Sequence, residues 1–181
     1  MIKFNVASIN RCTETEGPHK RLCIWFQGCD IRCNECCNPE YQSFAIRHIM
    51  SLDDIISVIK KSIDDFGIEG VTYSGGEPTC QHNLTFLTDE IKKLGLGIIS
   101  FTGRRYEEVS DFLAGVDLVL DGAYVLEEKD TKRRLLGSEN QRILCLTDRY
   151  KNDVSWFDMD KNGKSVEVNI SGKIIFNGDK I

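Results

Sequence analysis

The sequence is short of several features, and each absence excludes a class of protein. No stretch comes near the ~18 consecutive apolar residues of a membrane-spanning helix. The opening Met1-Ile2-Lys3-Phe4-Asn5 has neither the apolar core nor the cleavage site of a secretory leader. A cytoplasmic chain with no membrane association is therefore expected. Basic side chains are not in excess: 23 Lys and Arg stand against 28 Asp and Glu, for a formal net charge of -5. That balance disfavours a dedicated nucleic-acid binder. The basic triplet Lys132-Arg133-Arg134 reads as a solvated loop. The histidines, His19, His48 and His82, have no ligand spacing.

Cysteine, by contrast, is plentiful, with eight in 181 residues. In a reducing compartment such cysteines are ligands or buried thiols rather than disulfides. Three of them, Cys29, Cys33 and Cys36, sit at spacings of four and three, just after the apolar run Cys23-Ile24-Trp25-Phe26. Thiolates that close in a loop can converge on one soft metal centre. Three ligands rather than four leave a position open, and on a cubane iron–sulfur cluster that position is a whole iron. Cys23 and Cys145 lie in apolar strand-like runs and read as buried thiols. Cys12, Cys37, Cys80 and Cys145 together are the alternative of a second cluster.

The Cys-x3-Cys-x2-Cys spacing resembles the radical S-adenosylmethionine (SAM) superfamily, whose members hold a [4Fe-4S] cluster on three such cysteines. Gly17-Pro18-His19-Lys20-Arg21, Trp25-Phe26-Gln27-Gly28-Cys29 and Asn38 resemble the activating enzymes of glycyl-radical enzymes. Tyr73-Ser74-Gly75-Gly76-Glu77-Pro78 resembles their SAM-binding turn. Phe101-Thr102-Gly103, Leu120-Asp121-Gly122 and Gly137-Ser138-Glu139-Asn140-Gln141-Arg142 are most similar to the branch that activates anaerobic ribonucleoside-triphosphate reductase. The likeness runs over roughly residues 8 to 145, most of one domain.

The resemblance implies a site. Cys29, Cys33 and Cys36 hold the cluster, and Ser74, Gly75, Gly76 and Glu77 hold the methionine part of SAM. Ser100, Thr102 and Asp121 face the ribose, with satisfied strand hydroxyls as the other reading of the first two. Asn140, Gln141 and Arg142 offer amide and guanidinium donors to a carboxylate or a sugar, or else form a capped turn. Glu35 stands where the superfamily usually has an aromatic residue near the adenine. A carboxylate accepts a hydrogen bond from the adenine amino group but does not stack. Cys37 replaces a usual His or Tyr. Either Cys36 or Cys37 has the chemistry to ligate, and the family spacing favours Cys36.

Along the chain, strands are predicted over 2–8, 21–27, 71–74, 97–102, 116–120 and 143–146, and helices over 51–66, 84–94 and 106–113. Ser51 caps the first helix, with Asp53 and Asp54 in its first turn and Ile55, Ile56, Ile59 and Ile63 along one face. Residues 123–141 form a long polar connection. Val154–Met159 and Ser165–Ile170 read as a hairpin around Asn162-Gly163. The expected fold is α/β: an incomplete parallel (β/α) barrel of about four to five units with a C-terminal antiparallel β-hairpin, too short for the ~250 residues of a complete barrel. Residues 1–150 are expected to form the radical SAM domain. Residues 151–181 form an extension packed on it, which covers an open edge or offers a strand to a partner.

The activity implied by the resemblance is reductive cleavage of SAM to a 5′-deoxyadenosyl radical, which then takes a hydrogen atom from a glycine of a partner protein, in the nearest branch a reductase. An external one-electron donor such as a flavodoxin or ferredoxin is implied with it. One alternative is the same radical chemistry on a small molecule or nucleoside. The other, from a different class, is a zinc or iron–sulfur interaction module without turnover, with Cys37 as fourth ligand. Metal content separates the last from the first two.

Overall fold

The computed structural model describes residues 2–158, 166–170 and 174–178. Its frame is a seven-stranded sheet in the order β3-β1-β2-β4-β5-β6-β7. The strands are β1 (Lys3–Thr13), β2 (Arg21–Phe26), β3 (His48–Ser51), β4 (Gly70–Gly75), β5 (Gly97–Thr102), β6 (Leu118–Asp121) and β7 (Arg142–Cys145). The middle run β2-β4-β5-β6 is parallel throughout. At one end β1 and β3 are antiparallel to their neighbours, and at the other β7 is antiparallel to β6. The architecture is thus mixed α/β with a sheet parallel at its centre. The expected parallel strands make up the centre, and the strands that flank them at both edges run antiparallel. Strand β1 returns into β2 through the turn at 14–20 with no helix between, so it pairs antiparallel. Strand β7 returns antiparallel to β6 after the long connection, which holds only one 3₁₀ turn, Leu126–Glu128.

Three helices cover one face: α1 (Leu52–Phe66), α2 (Leu84–Lys93) and the short α3 (Tyr106–Val109). The first is closed at both ends by its own sequence. The Ser51 hydroxyl accepts from the Asp54 amide while the Asp54 carboxylate accepts from that of Ser51, and Gly67 ends the helix at φ 64°. Ile55 and Ile59 of α1 and Leu84, Leu87 and Ile91 of α2 pack on Leu22, Ile24, Phe26, Val71, Tyr73, Ile98 and Val119 of the sheet. Each such side chain contributes ~1.5–3 kcal/mol on burial. The strand period of two sends the intervening residues, Trp25, Thr72, Ser74, Ile99, Phe101 and Leu120, to the opposite face.

That opposite face is closed at its far end by a second cluster, Ile99, Leu118, Leu120, Leu136, Tyr150 and Phe157. Arg21 is buried among them. Its Nε donates to Thr72 Oγ1 at 2.7 Å, its Nη1 to the Pro18 carbonyl and Tyr150 Oη, and its Nη2 to the Val71 carbonyl. The guanidinium lies 5.2 Å from the centre of the Tyr150 ring, which fastens β2 and β4 to the turn at 148–150.

The basic triplet, expected from sequence to be a solvated loop, leaves only Lys132 exposed. Arg134 is buried over the Trp156 ring, 3.9 Å from its centre. Arg133 donates to Asp130 and to the carbonyls of Ser138, Glu139 and Gln141. The expected strand at 154–159 is, over Val154–Phe157, a 3₁₀ turn that buries Phe157. The pairing near the C-terminus joins β8 (Val166–Ile170) to β9 (Ile174–Gly178), antiparallel. Asn162-Gly163, the expected turn, lies outside the described residues. Among the described residues no helix is long and apolar enough to cross a membrane.

Candidate functional site

Strand β2 ends where its apolar run ends, and the chain turns sharply. Gly28 takes φ 106°, open chiefly to glycine, and delivers Cys29 to the mouth of the uncovered face. The loop that follows is tied down at both ends. The Gly28 and Cys29 amides donate to the carbonyls of Tyr41 and Gln42 at 2.8 and 3.0 Å. The buried Gln27 donates its side-chain amide to the Ser43 carbonyl at 2.6 Å. Within the loop Arg32 and Glu35 both take φ 53°, so the chain doubles back between Cys29 and Cys36. All three cysteines of the triplet line one cavity of about 670 Å³.

The adjoining wall is the turn after β4. Gly75 takes φ 105°, and a Cβ there would lie 2.4 Å from the Phe26 amide nitrogen. Gly76 donates its amide to the Phe26 carbonyl, and Glu77 donates its own to the Gly28 carbonyl at 2.9 Å. The glycine turn and the cysteine loop are thus bonded backbone to backbone. The Glu77 side chain is buried and points back into the protein. Its Oε1 accepts from the Thr79 amide and hydroxyl and from the Thr102 hydroxyl, and its Oε2 from the Gly103 amide at 2.9 Å. Each carboxylate oxygen has two lone pairs, and among the described residues Oε2 accepts only the one bond from Gly103, so it keeps capacity for one further donor.

Ser74, Gly75, Gly76, Glu77, Glu35, Cys37 and Asn38 line the same cavity as the three cysteines, and so do Thr102 and Gln141. Ser100, Asp121, Asn140 and Arg142 do not. Ser100 shares its strand parity with Ile98 and faces the helices, buried, with its hydroxyl on the Phe101 carbonyl. Asp121 lies away from the cavity and anchors an ion pair in which its own carboxylate is buried and Arg142 is partly exposed. It accepts from Arg142 through both oxygens and from the Tyr106 amide at 2.8 Å. Burial pushes the Asp121 carboxyl up, but the bonds from Arg142 and Tyr106 outweigh it and hold it below the usual carboxylate value. Asn140 donates to the Ala123 carbonyl, and Gln141 donates to the Gly122 carbonyl while accepting from the Gly137 and Ser138 amides. These amides fold the connection at 123–141 onto the sheet, which is the capped-turn reading. The Thr102 hydroxyl is likewise engaged, donating to Glu77 and accepting from the Arg104 amide.

Sequence reasoning missed the apolar floor of the cavity: Trp25, Phe101 and Leu120, with Tyr124 and Leu136 on the side of the long connection. Strand alternation held the signal. If Ile98 faces the helices, then Phe101 faces away from them.

The residues fit an iron–sulfur cluster by donor chemistry. Three soft thiols share one wall, and backbone amides are directed at two of them. Asn38 N lies 3.4 Å from Cys36 Sγ, and the Ile31 and Arg32 amides bond to the Cys29 sulfur. Burial raises the Cys29 thiol above its ordinary value and those amides oppose the rise. Hydrogen bonds to sulfur are among the levers that tune such clusters. Among the described residues no three His, Cys, Asp or Glu side chains are gathered closely enough to hold a single ion. The thiols are instead spread along the wall.

Comparison with known proteins agrees with this donor set. A protein of Enterobacteria phage T4 named anaerobic ribonucleoside-triphosphate reductase-activating protein is 27% identical over 157 residues, 80% of this chain and 96% of that one. The pyruvate formate-lyase-activating enzyme of Clostridium pasteurianum is 32% identical over 127 residues, 66% of this chain and 52% of the enzyme. This chain therefore spans nearly all of the phage protein but only about half of the bacterial enzyme. The crystal structure of QueE from Escherichia coli aligns over 57% of this chain and 54% of that one, with a TM-score of 0.48 and 20% identity. The model of the 4Fe-4S single cluster domain matches residues 15–144, well over half of the sequence and inclusive of all three loop cysteines, so the chain belongs to that family.

Proposed function

We propose that this chain is a radical SAM activase, which uses a three-cysteine [4Fe-4S] cluster to generate a radical on a glycine of a partner protein. A single observation carries the reading. The cysteine loop and the glycine turn line one cavity side by side, joined by the bond from the Glu77 amide to the Gly28 carbonyl. Cys29, Cys33 and Cys36 would hold three irons, which leaves the fourth to the amino and carboxylate groups of SAM. When bound, the cluster supplies one electron to the sulfonium, whose cleavage gives methionine and a 5′-deoxyadenosyl radical able to take a hydrogen atom from glycine.

The protein's own part is positioning and exclusion of water. The turn at Ser74–Glu77 presents backbone carbonyls to the SAM ammonium, with Glu77 Oε2 in reserve. Trp25, Phe101 and Leu120 offer apolar surface to the nucleoside in place of the aromatic residue that Glu35 supplants. Glu35, Cys37 and Asn38 border the cluster side. The parallel run β2-β4-β5-β6 is read as part of a (β/α) barrel left open at its edge. Residues 1–150 are its domain and 151–181 an extension packed on it. An open edge suits a macromolecular substrate, whose main chain must come near the cluster. The electron donor is a cytoplasmic one-electron carrier such as a flavodoxin or ferredoxin.

The test is direct. The anaerobically reconstituted protein, with SAM and a reductant, is incubated with an anaerobic ribonucleoside-triphosphate reductase. A glycyl signal in the electron-spin spectrum, dependent on this chain, supports the activase. Deoxyadenosine formed without that signal shifts the substrate to another protein or a small molecule.

A further inference from the structure

The residue just after the first loop cysteine, Asp30, does not project freely into solvent. Arg104 Nη2 donates to both of its carboxylate oxygens at 2.6 and 2.7 Å. The same guanidinium reaches a second target, with Nε donating to Thr79 Oγ1 at 3.2 Å. Thr79 Oγ1 in turn donates to Glu77 Oε1 at 2.7 Å. The backbone closes the circuit: the Arg104 amide donates to Thr102 Oγ1, which donates to the same Glu77 oxygen. One side chain thus links the cysteine loop to the buried carboxylate that shapes the glycine turn.

We propose that Arg104 is a positioning residue: through Asp30 on one side and Thr79–Glu77 on the other, it sets the distance between the cluster loop and the turn that receives SAM. The proposal rests on the activase reading above and names how its two half-sites are held in register. An ordinary fold-stabilising role does not explain the arrangement. Both partners are partly exposed, with side-chain exposures of 31% for Arg104 and 52% for Asp30, and ion pairs in such surroundings add little to stability. The geometry, by contrast, is specific. One guanidinium spans two segments far apart in sequence: Asp30 follows Cys29, and Thr79 bonds Glu77, and it is Cys29 and Glu77 that border the cavity, with the bridge itself behind its wall. A ligand that touches both walls gains from having them fixed beforehand, because the cost of ordering is already met.

The test uses wild type, Arg104→Ala, Arg104→Lys, Asp30→Asn, Thr79→Val and the double variant of Asp30→Asn with Arg104→Ala, each reconstituted anaerobically. Iron per chain is measured, and SAM affinity is read by equilibrium dialysis. Arg104→Ala is expected to keep wild-type iron and bind SAM ~10-fold more weakly, the scale typical of losing a coupled contact. Arg104→Lys is expected to recover part of the loss by keeping the charge on Asp30. The double variant is expected to bind no more weakly than Arg104→Ala alone. Unchanged affinity in Arg104→Ala overturns the proposal, and so do losses that multiply in the double variant.

Should Arg104→Ala fail to hold iron, Thr79→Val decides. It cuts the other arm of the bridge and leaves the cysteine loop untouched, so wild-type affinity there overturns the proposal. Failure of the activase reading looks different, because it shows in the wild type itself: no cluster, no SAM binding, or SAM cleavage that leaves no glycyl signal.

Discussion

Gly76 stands so close to Gly28 that a Cβ on it would lie 2.3 Å from the Gly28 carbonyl oxygen. That oxygen is the acceptor joining the glycine turn to the cysteine loop, and the Tyr41 carbonyl at 2.8 Å blocks the other way out. Gly76→Ala must therefore push the two walls of the cavity apart. The variant is expected to lose ~1–3 kcal/mol of stability, as overpacking does, and to bind SAM at least ~10-fold more weakly, the effect of about 1.4 kcal/mol. Chemical denaturation and equilibrium dialysis measure the two. An alanine variant with native stability and affinity would show that the close approach is not needed.

The Asp121–Arg142 pair gives a pH prediction. The folded Asp121 carboxyl lies below its ordinary value, so the unfolded chain binds the proton more tightly. The resulting stabilisation is fully present above the unfolded value of ~3.9 and disappears as pH falls through the lower folded one. Asp121→Asn should cost ~1–3 kcal/mol at pH 7, the range for a buried hydrogen bond to a charged group. The gap from wild type should close as pH falls below about 4. Denaturation midpoints followed from pH 7 to pH 3 check the sign, and a gap that widens in acid contradicts it.

Arg21 belongs to the Gly17-Pro18-His19-Lys20-Arg21 segment that carries part of the family likeness, yet it fastens the fold rather than lining the cavity. Arg21→Met keeps much of the volume and strands Thr72, Tyr150 and two carbonyls without their donor. A loss of ~2–4 kcal/mol is expected, since several buried polar groups go unsatisfied together. The midpoint of urea unfolding reads it, and a shift within error of wild type would refute the assignment.

Phe101 tests the apolar floor. Phe101→Ala removes the ring from the cavity wall without touching a cysteine or the glycine turn. Iron content should stay at the wild-type value while SAM affinity falls about 5- to 12-fold, the scale of a lost aromatic contact of about 1–1.5 kcal/mol. Unchanged affinity would place the nucleoside elsewhere.

Much of this site was legible in the sequence because its chemistry is local. Cys29, Cys33 and Cys36, the glycines at 75 and 76, and the cap at Ser51 are each set by residues a few positions apart. The errors arose where the answer depended on which side of a strand a residue occupies. Ser100 and Asp121 sit near the ends of the right strands but face the helices, and Phe101, though part of a family motif, does not read as a cavity residue because its neighbours are polar. Strand β3 was missed because four residues, His48–Ser51, run straight into the cap of α1 and carry too little pattern to separate. Arg134 reads as solvated because Trp156, on which it lies, is distant in sequence, and Arg133 because the carbonyls of Ser138, Glu139 and Gln141 reach it only once the connection folds.

The measurement closest to the central claim is SAM turnover by the reconstituted protein and by Cys33→Ala, with iron and zinc determined on the same samples. The account predicts about four irons per chain in the wild type, with 5′-deoxyadenosine and methionine formed in equal amounts under reduction. Cys33→Ala should lose both the cluster and the products. One zinc per chain with no iron, or an intact cluster that leaves SAM uncleaved, would contradict it.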